Sequence, residues 1–379
     1  MERARIMIEP TFFCDELARR SVEFYTGVPC SFFQGPISLL GQGGRGRYVA
    51  AANEGAALAM ATGAELAGTR SAVMLQNSGF GNLLNPLTSL VMTFRVPALV
   101  FMSLRGWPDP AADEPQHAVM GASQHALLDA LGIDRWTLPP TEDGLVDVLD
   151  QVEHSRAEGR PAFVLVPKNT VGVDDSTAPP AAAPFGRRQA LSALAPHLGD
   201  AAVYATTGFI SRELYSVAHR PDNFYMQGSM GHALSLGVGS ALADPMLRTV
   251  VIDGDGAALM HLGSCAVTGA AAPPNLTHVV LDNGAYESTG AQQTLATVDW
   301  DAFGRSVGYR TARTVSTADG LDAAMRDIAD AAGPHLVVAR IGLDGPGQTP
   351  PRVTSGHSPF ELRCTFSESL TLKRSSHGR

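Results

Sequence analysis

The stretch from residue 250 to 290 places strong limits on how this chain folds. The apolar run Thr249–Ile252 ends in DGDG at residues 253–256, and a pattern of small residues typical of a helix follows. A second apolar run, Leu276–Leu281, ends in DNG at residues 282–284. This order predicts strand, turn, helix, strand and turn, which is a crossover unit between parallel strands. Each strand then ends beside a side chain with an oxygen ligand.

These strand ends predict a site for a hard divalent cation and a diphosphate. Asp255 and Asn283 offer a carboxylate and an amide oxygen, which Mg²⁺ accepts together with phosphate oxygens. Gly254 and Gly256 let backbone N–H groups approach a phosphate at a helix N-terminus. A nicotinamide-binding fingerprint is a rival interpretation, but Leu259 stands where its third glycine belongs. A turn that binds no ligand is the other alternative.

Composition narrows the class of protein. The 379 residues suffice for two domains, and 45% hydrophobic with 17% charged residues indicates a large globular core. The net charge of −9 argues against nucleic acid as the main partner. No apolar segment is long enough to span a membrane, and residues 1–9 lack a signal-peptide core, so we expect a cytoplasmic protein. The four cysteines show no CxxC pair, which indicates neither a disulfide framework nor a zinc site.

Apolar runs that alternate with helical patterns predict a parallel α/β sheet in each half of the chain. The predicted strands are Ala72–Leu75, Ala98–Leu104, Ala162–Val166, Val203–Thr206, Thr249–Ile252, His278–Leu281 and Leu336–Ile341, with helices near 54–68 and 82–93. The Pro/Ala-rich stretch 172–188 predicts an exposed linker between domains 1–171 and 189–345. Residues 346–379 are predicted to form a polar, weakly ordered C-terminal tail.

The spacing of Asp255 and Asn283 resembles the metal motif of thiamine diphosphate enzymes. That resemblance implies thiamine diphosphate and Mg²⁺ as cofactors, with Asp255, Asn283 and the carbonyl of Ala285 as metal ligands. It also implies two thiamine diphosphate-binding domains, a pyrimidine-binding (PYR) domain at 1–171 and a diphosphate-binding (PP) domain at 189–345. Gly254, Gly256 and Ala257 would contact the cofactor.

Glu54 lies in Asn-Glu-Gly at the predicted start of a helix. An acidic residue at this position can simply stabilise the helix dipole. In thiamine diphosphate enzymes, however, a glutamate here hydrogen-bonds N1′ of the aminopyrimidine and so helps the 4′-imino group take the proton from C2. The resemblance therefore implies that Glu54 is a catalytic residue that also binds the cofactor.

Two further blocks lie where thiamine diphosphate enzymes place active-site loops. QNSGFGN at residues 76–82 follows a strand, and Asn77 and Ser78 are its candidate polar cofactor contacts. QGSMGHA at residues 227–233 precedes a helix, and Ser229 is a further candidate contact. In relatives a glycine carbonyl here, matching Gly228, accepts from the 4′-amino group. A large apolar residue, matching Met230, wedges the cofactor into a V shape, although a methionine is often only core filler.

Further motifs make the chain similar to phosphonopyruvate decarboxylases and, beside them, sulfopyruvate decarboxylases. They are FYTGVP at 24–29, MLQNSG at 74–79, NLLNPLTSL at 82–90, DEPQH at 113–117, and NGA with ESTG at 283–290. The likeness extends to about residue 342 and includes the absence of a middle domain. It implies decarboxylation of 3-phosphonopyruvate to phosphonoacetaldehyde and CO₂, a carbon–carbon lyase activity in phosphonate biosynthesis.

The substrate needs local cations, because the chain as a whole is acidic. Arg105 matches an arginine in the family's Trp-Arg-Gly segment and suits bidentate contact with a phosphonate, although a surface salt bridge is the alternative. His117 is a candidate proton shuttle or carboxylate contact, and otherwise a structural histidine. Cys30 and Ser31 would also face the substrate. Weaker candidates for binding the anion are Lys168 and Arg212.

Three residues depart from the family pattern. Cys30 stands where relatives often have Asp, Tyr286 replaces a common His and is closer to the sulfopyruvate pattern, and Trp107 replaces an acidic residue. Three hypotheses therefore remain: a phosphonopyruvate decarboxylase, a decarboxylase or carboligase of sulfopyruvate or another 3-substituted pyruvate, and a non-catalytic cofactor-binding subunit. The presence of Glu54 and the metal motif in one chain argues against the third. The resemblance implies a homodimer or homotetramer with active sites at subunit interfaces.

Overall fold

Two parallel β-sheets form the centres of two compact units in the computed structural model, which describes residues 7–173, 183–294, 298–345 and 349–377. One unit comprises Met1–Ala178 with Thr289–Leu295, and the other comprises Pro179–Ser288 with Ala296–Arg379. Each sheet has six strands flanked by helices. The predicted α/β class with two parallel sheets is therefore confirmed.

The first unit has a sheet with the strand order β2-β1-β3-β4-β6-β5, in which every pair is parallel. Its strands are β1 (Val22–Gly27), β2 (Arg47–Ala50), β3 (Arg70–Gln76), β4 (Leu99–Ser103), β5 (Asp134–Thr137) and β6 (Ala162–Val166). Its helices are α1 (Pro10–Arg19), α2 (Gln34–Gly41), α3 (Glu54–Leu66), α4 (Phe80–Pro86), α5 (Ala118–Ala130) and α6 (Glu142–Ala157), and a π-helical turn at Leu87–Met92 extends α4.

The central strands of this sheet are covered on both faces, which explains their unbroken apolar sequence. In β3, Val73 and Leu75 pack into one hydrophobic cluster, while Ala72 and Met74 pack into another on the opposite face. Side chains alternate across a strand, so both faces must be apolar when helices cover both. This leaves the carboxyl ends of the strands as the place for polar side chains.

The second unit has a sheet with the strand order β13-β14-β10-β9-β7-β8, again all parallel. Its strands are β7 (Ala202–Ala205), β8 (Asn223–Tyr225), β9 (Thr249–Gly254), β10 (Leu276–Asp282), the short β11 (Ala285–Tyr286), β13 (Thr311–Val315) and β14 (His335–Arg340), while the short β12 (Gln292–Gln293) belongs to the first unit. Its helices are α7 (Arg187–Leu194), α8 (Phe209–Ala218), α9 (Ala233–Ala243), α10 (Asp255–Met260), α11 (Gly263–Ala271), α12 (Trp300–Ser306), α13 (Ala318–Asp327) and α14 (Pro359–His377).

The prediction of a weakly ordered tail at 346–379 is wrong for its helical part. Helix α14 packs Leu362 and Phe366 into the core of the second unit, where the Phe366 ring lies 5.3 Å from that of Tyr204. Apolar residues four apart on one helix face suffice for this packing. Neither α14 nor any other helix in the described ranges has the length and apolarity needed to cross a membrane.

The exposed linker predicted at 172–188 is also shorter than expected. Residues 174–182 lie outside the described residues. Beyond them, α7 already begins at Arg187, whose side chain is only 2% exposed. Phe185 packs against the hydrophobic core of the second unit. Packing and ion pairs therefore fix the end of a segment whose composition alone suggests exposure.

Candidate active site

Asp255 and Asn283 lie at the carboxyl ends of two neighbouring strands in the second unit. Gly254 ends β9 and pairs in register with Leu281 of β10. Asp255 is then the first residue of α10 and is 4% exposed, and Asn283 directly follows β10 and is partly buried. The structure therefore brings the two predicted metal ligands to adjacent strand ends.

The donor set at these ends fits a hard cation. The Asn283 Oδ1 accepts a hydrogen bond from the Ala285 backbone N–H at 3.0 Å, which orders the turn that carries the third expected ligand. A carboxylate, an amide oxygen and a carbonyl oxygen are ligands suited to Mg²⁺, which usually also keeps phosphate and water oxygens. Within the described residues no cluster of three or more His, Cys, Asp or Glu side chains is placed to hold a metal ion.

The loop with Gly228, Ser229 and Met230 lies beside α10. Ser229 adopts a left-handed conformation with φ of 55°, and Gly231 follows with φ of 88°. A Cβ on Gly256 would lie 2.7 Å from the Tyr286 ring and 3.4 Å from the Met230 Cε. Met230 is thus partly exposed next to the predicted diphosphate turn instead of filling a core. This placement favours contact with the cofactor.

Glu54 is buried at the N-terminus of α3 in the first unit. Asn53 caps the helix by accepting from the Ala56 N–H at 2.9 Å, and Glu54 follows with 5% exposure. Its Oε2 accepts from the Asn82 side chain at 2.8 Å. A Cβ on Gly79 would overlap the Glu54 carboxylate, so any larger residue there would displace that carboxylate. Interaction with the helix dipole requires neither burial of the carboxylate nor a side-chain donor to it, and burial costs free energy. The dipole alone therefore does not account for this arrangement.

Asn77 and Ser78 occupy different environments at the end of β3. Asn77 is fully buried and connects two strand ends, because its Nδ2 donates to the Arg105 carbonyl at 2.9 Å while its Oδ1 accepts from the Arg105 N–H at 3.2 Å. Ser78 is exposed and accepts from the Gln76 side chain at 2.5 Å. Asn77 is therefore placed to order the loop, whereas Ser78 is open to a ligand.

Arg105 follows β4 and is paired with Asp113. Its Nε and Nη2 donate to the two Asp113 oxygens at 2.8 and 3.0 Å, and its guanidinium lies 5.2 Å from the Phe32 ring. Within the described residues these hydrogen bonds leave both Nη1 hydrogens for a ligand. Burial raises the pKa of Asp113, but the Arg105 hydrogen bonds and charge, together with the Glu114 N–H and His117, outweigh it and hold that pKa well below its usual range.

His117 joins the same group of side chains. Its Nδ1 lies 3.1 Å from the Asp113 Oδ1, and its Nε2 lies 3.4 Å from the Gln76 side-chain nitrogen. Burial lowers the pKa of His117 and the Arg105 cation lowers it further, while Asp113 opposes both. The imidazole is therefore neutral at neutral pH and can exchange a proton with a bound ligand.

Cys30 lies against the ends of β3 and β4. Its Sγ is 3.2 Å from the Ser103 Oγ and 3.8 Å from the Gln76 Oε1, and the residue is 1% exposed. Burial raises the pKa of the Cys30 thiol, so it stays protonated. Where relatives often carry a charged Asp, this chain therefore presents a neutral group. Ser31 opens the next helical turn and is partly buried.

The remaining candidates lie in other surroundings. Lys168 is exposed, and the Arg212 guanidinium lies 5.7 Å from the Phe209 ring in the second unit. Trp107 packs with the core of the first unit and lies 5.7 Å from the His125 ring.

Several residues that contact the candidates were not themselves named as candidates in the sequence analysis, although Gln76, Gly79 and Asn82 lie in its QNSGFGN block. They are Gly79 and Asn82 beside Glu54, and Gln76, Ser103 and Asp113 beside Cys30, Arg105 and His117. Asp113 lies within the quoted DEPQH block, yet only the loop conformation shows that it accepts from Arg105. Both Arg105 and Asp113 lie outside regular helices and strands, so no periodic sequence pattern relates them.

Comparison with known proteins decides the family. The model of the thiamine pyrophosphate enzyme C-terminal TPP binding domain matches residues 206–339. A phosphonopyruvate decarboxylase of Streptomyces viridochromogenes is 41% identical over 91% of this chain and 90% of its own length. This chain belongs to the phosphonopyruvate decarboxylase family. Another phosphonopyruvate decarboxylase, from Streptomyces hygroscopicus, is 38% identical over 87% of each chain.

A sulfopyruvate decarboxylase of Methanosarcina acetivorans is also similar, at 30% identity over 82% of this chain and 85% of the relative. Membership of the phosphonopyruvate decarboxylase family confirms the predicted enzyme class, a carbon–carbon lyase that acts on a small 2-oxo acid. It also confirms thiamine diphosphate with a divalent metal as cofactors. The roles of individual site residues stay predictions.

Proposed function

We propose that this enzyme decarboxylates 3-phosphonopyruvate to phosphonoacetaldehyde and CO₂, with thiamine diphosphate and Mg²⁺ as cofactors. Similarity over nine-tenths of the relative's length supports the reaction. The structural observation that carries the choice of substrate is Arg105, whose partly buried guanidinium keeps donors available at the carboxyl end of β4. Ligands of α/β sheets bind at such strand ends, and guanidinium suits dianionic phosphonate oxygens.

The chain's own residues would divide the work between binding and proton transfer. Thiamine diphosphate, when bound, supplies the nucleophilic carbon and the electron sink for loss of CO₂. Asp255, Asn283 and the Ala285 carbonyl would hold Mg²⁺, while Met230 would support the cofactor ring. Glu54 would hold or release a proton at its carboxylate, and Asn82 keeps that carboxylate in place.

His117 and Cys30 would act on the substrate side. His117 is neutral, and its Nδ1 lies beside the Asp113 carboxylate, so its Nε2 can accept or donate a proton. Cys30 would shape the pocket as a neutral thiol because burial keeps it protonated. Because position 30 carries no negative charge, this pocket would bind an anionic head group more readily than a pocket with Asp at that position.

Sulfopyruvate is the second candidate substrate, supported by the similarity to a sulfopyruvate decarboxylase and by Tyr286. Release of CO₂ from phosphonopyruvate, sulfopyruvate and pyruvate, measured side by side, tests the proposal. We expect the highest kcat/KM for phosphonopyruvate. A preference for sulfopyruvate would support the second candidate, and no release from any of them would favour a non-catalytic cofactor-binding subunit.

We predict that Arg105→Ala lowers kcat/KM for phosphonopyruvate by about 10²-fold, the scale of losing a charge-assisted contact, and affects pyruvate little. Arg105→Lys serves as the matched variant, because it keeps the charge but loses the forked geometry. Steady-state kinetics with both substrates check this. An equal loss for both substrates would show that Arg105 only supports Asp113 and the local fold.

We also propose that the enzyme is at least a homodimer, with the Glu54-bearing domain of one protomer completing the site of another. Association would cover apolar side chains that are exposed on the second unit. They are Leu236 at 42%, Leu242 at 51%, Val267 at 60% and Met246 at 73% exposure.

Subunit mixing tests the shared site. We predict that inactive Glu54→Gln and inactive Asp255→Ala proteins regain activity when their subunits exchange, because one site of each mixed dimer then has both intact residues. Exchange is verified with differently tagged subunits and activity is measured on the mixture. Verified exchange without recovery would mean that each site is built from a single chain.

We propose a cytoplasmic location as part of the same function. All four cysteines are unpaired, and Cys14, Cys30 and Cys265 are buried. Buried free thiols fit a reducing compartment, where disulfides are rare.

A further inference from the structure

The side-chain amide of Asn283 is held on both sides. Its Oδ1 accepts from the Ala285 N–H at 3.0 Å, and its Nδ2 donates to the Glu287 Oε2 at 3.2 Å. An amide has one donor end and one acceptor end, so these bonds fix which end is which. The oxygen keeps a second lone pair for a metal ion. Without Glu287, the amide could turn and present its N–H group to the cation.

Glu287 is itself fixed by a buried cation and by the backbone. The Arg187 Nη1 donates to the same Glu287 Oε2, and the Asp344 N–H donates to Oε1 at 3.2 Å. The Arg187 side chain is 2% exposed and also contacts Asp344 at 2.6 Å and Glu213 at 3.7 Å. Its guanidinium lies 5.1 Å from the Phe209 ring.

Stability alone does not explain this arrangement. A buried arginine among carboxylates costs much desolvation, and apolar residues of similar size often replace such groups without loss of stability. The ion pair of Arg187 differs from an ordinary buried ion pair in one respect. Its partner Glu287 also accepts a hydrogen bond from Asn283. A ligand that is oriented by an outer partner is typical of metal sites in proteins.

We infer that Glu287 is a positioning residue, which orients the Asn283 amide for the metal ion of the cofactor and is itself held by Arg187. This inference rests on the proposed function, since it requires that Asn283 ligates Mg²⁺. The charged acceptor also polarises the amide and makes its oxygen a better ligand. Glu287 contacts neither substrate nor metal in this role.

Calorimetry of thiamine diphosphate with Mg²⁺, and Mg²⁺ titration at saturating cofactor, test the inference on the full-length enzyme. We expect Glu287→Ala to weaken both affinities by about 10- to 100-fold, the usual effect of losing an outer partner of a ligand. Glu287→Gln keeps an acceptor for Asn283 and should recover part of the loss. Melting curves followed by circular dichroism show whether each variant is folded.

A double-mutant cycle with Asn283→Ala separates positioning from a general structural effect. If Glu287 acts through Asn283, then Glu287→Ala should add no further loss in the Asn283→Ala background. Glu213→Gln is the matched control, because Glu213 contacts the same Arg187 but not Asn283. It should lower the melting temperature and leave the Mg²⁺ affinity unchanged.

Wild-type affinity in a folded Glu287→Ala protein would overturn the inference, and so would a loss of equal size in both backgrounds. If Glu287→Ala does not fold, Glu287→Gln takes its place in the cycle with the same two criteria. A wild-type enzyme that binds no thiamine diphosphate with Mg²⁺ would instead contradict the proposed function. The two failures are therefore distinguishable.

Discussion

Asp255→Ala is expected to abolish Mg²⁺-dependent binding of thiamine diphosphate while the fold persists. Asp255 is the charged member of the proposed ligand set and is 4% exposed at the first turn of α10. Its removal should weaken binding by more than about 10²-fold, which exceeds the effect of losing an outer partner. Losing an acidic residue at a helix N-terminus costs only about 0.3–1 kcal/mol of stability. Calorimetry with and without Mg²⁺ measures the loss.

Asp319→Ala is the matched control for this prediction. Asp319 also lies in the first turn of a helix, α13 of the same unit, but is exposed. It should lose a similar small stability and keep full cofactor affinity. Unchanged, metal-independent affinity in Asp255→Ala would contradict the proposed metal site and leave Asp255 as a residue that favours the helix dipole.

Most central strands could be predicted from the sequence, whereas the edge strands and β1, which contains the exposed Glu23, could not. β9 and β10 are buried on both faces and therefore show continuous apolar runs. β5 and β13 lie at sheet edges, are only partly buried, and contain charged residues that hide the strand pattern. Helix α14 was missed for a related reason, because its few apolar residues are spaced among polar ones.

The site shows the same division between local and long-range information. Asp255, Asn283 and Glu54 follow from strand ends and helix starts, which neighbouring residues specify. The pairing of Arg187 with Glu287 joins residues 100 positions apart, and only the folded sheet brings them together. Cys30 is a similar case. Its raised thiol pKa comes from burial in the folded protein and cannot be read from the sequence.

Glu54→Gln is expected to keep cofactor binding and to slow the exchange of the C2 proton by about 10²-fold or more, as loss of a positioned acid–base group does. Glu54 is 5% exposed, and Asn82 donates to its Oε2 at 2.8 Å, so the carboxylate is held in one position. Gln preserves the size of the side chain but cannot take up a proton at this position. NMR of the bound cofactor in D₂O measures the exchange, and calorimetry confirms binding.

Glu142→Gln distinguishes catalysis from the helix-dipole alternative. Glu142 is an exposed acidic residue in the first turn of α6, so it has the dipole interaction without the buried site. If Glu54 served only the dipole, both variants would lose about 0.3–1 kcal/mol of stability and exchange the C2 proton at the wild-type rate. Slow exchange in Glu54→Gln alone would tie the buried carboxylate to activation of the cofactor, because only that variant changes a group beside Gly79 and Asn82.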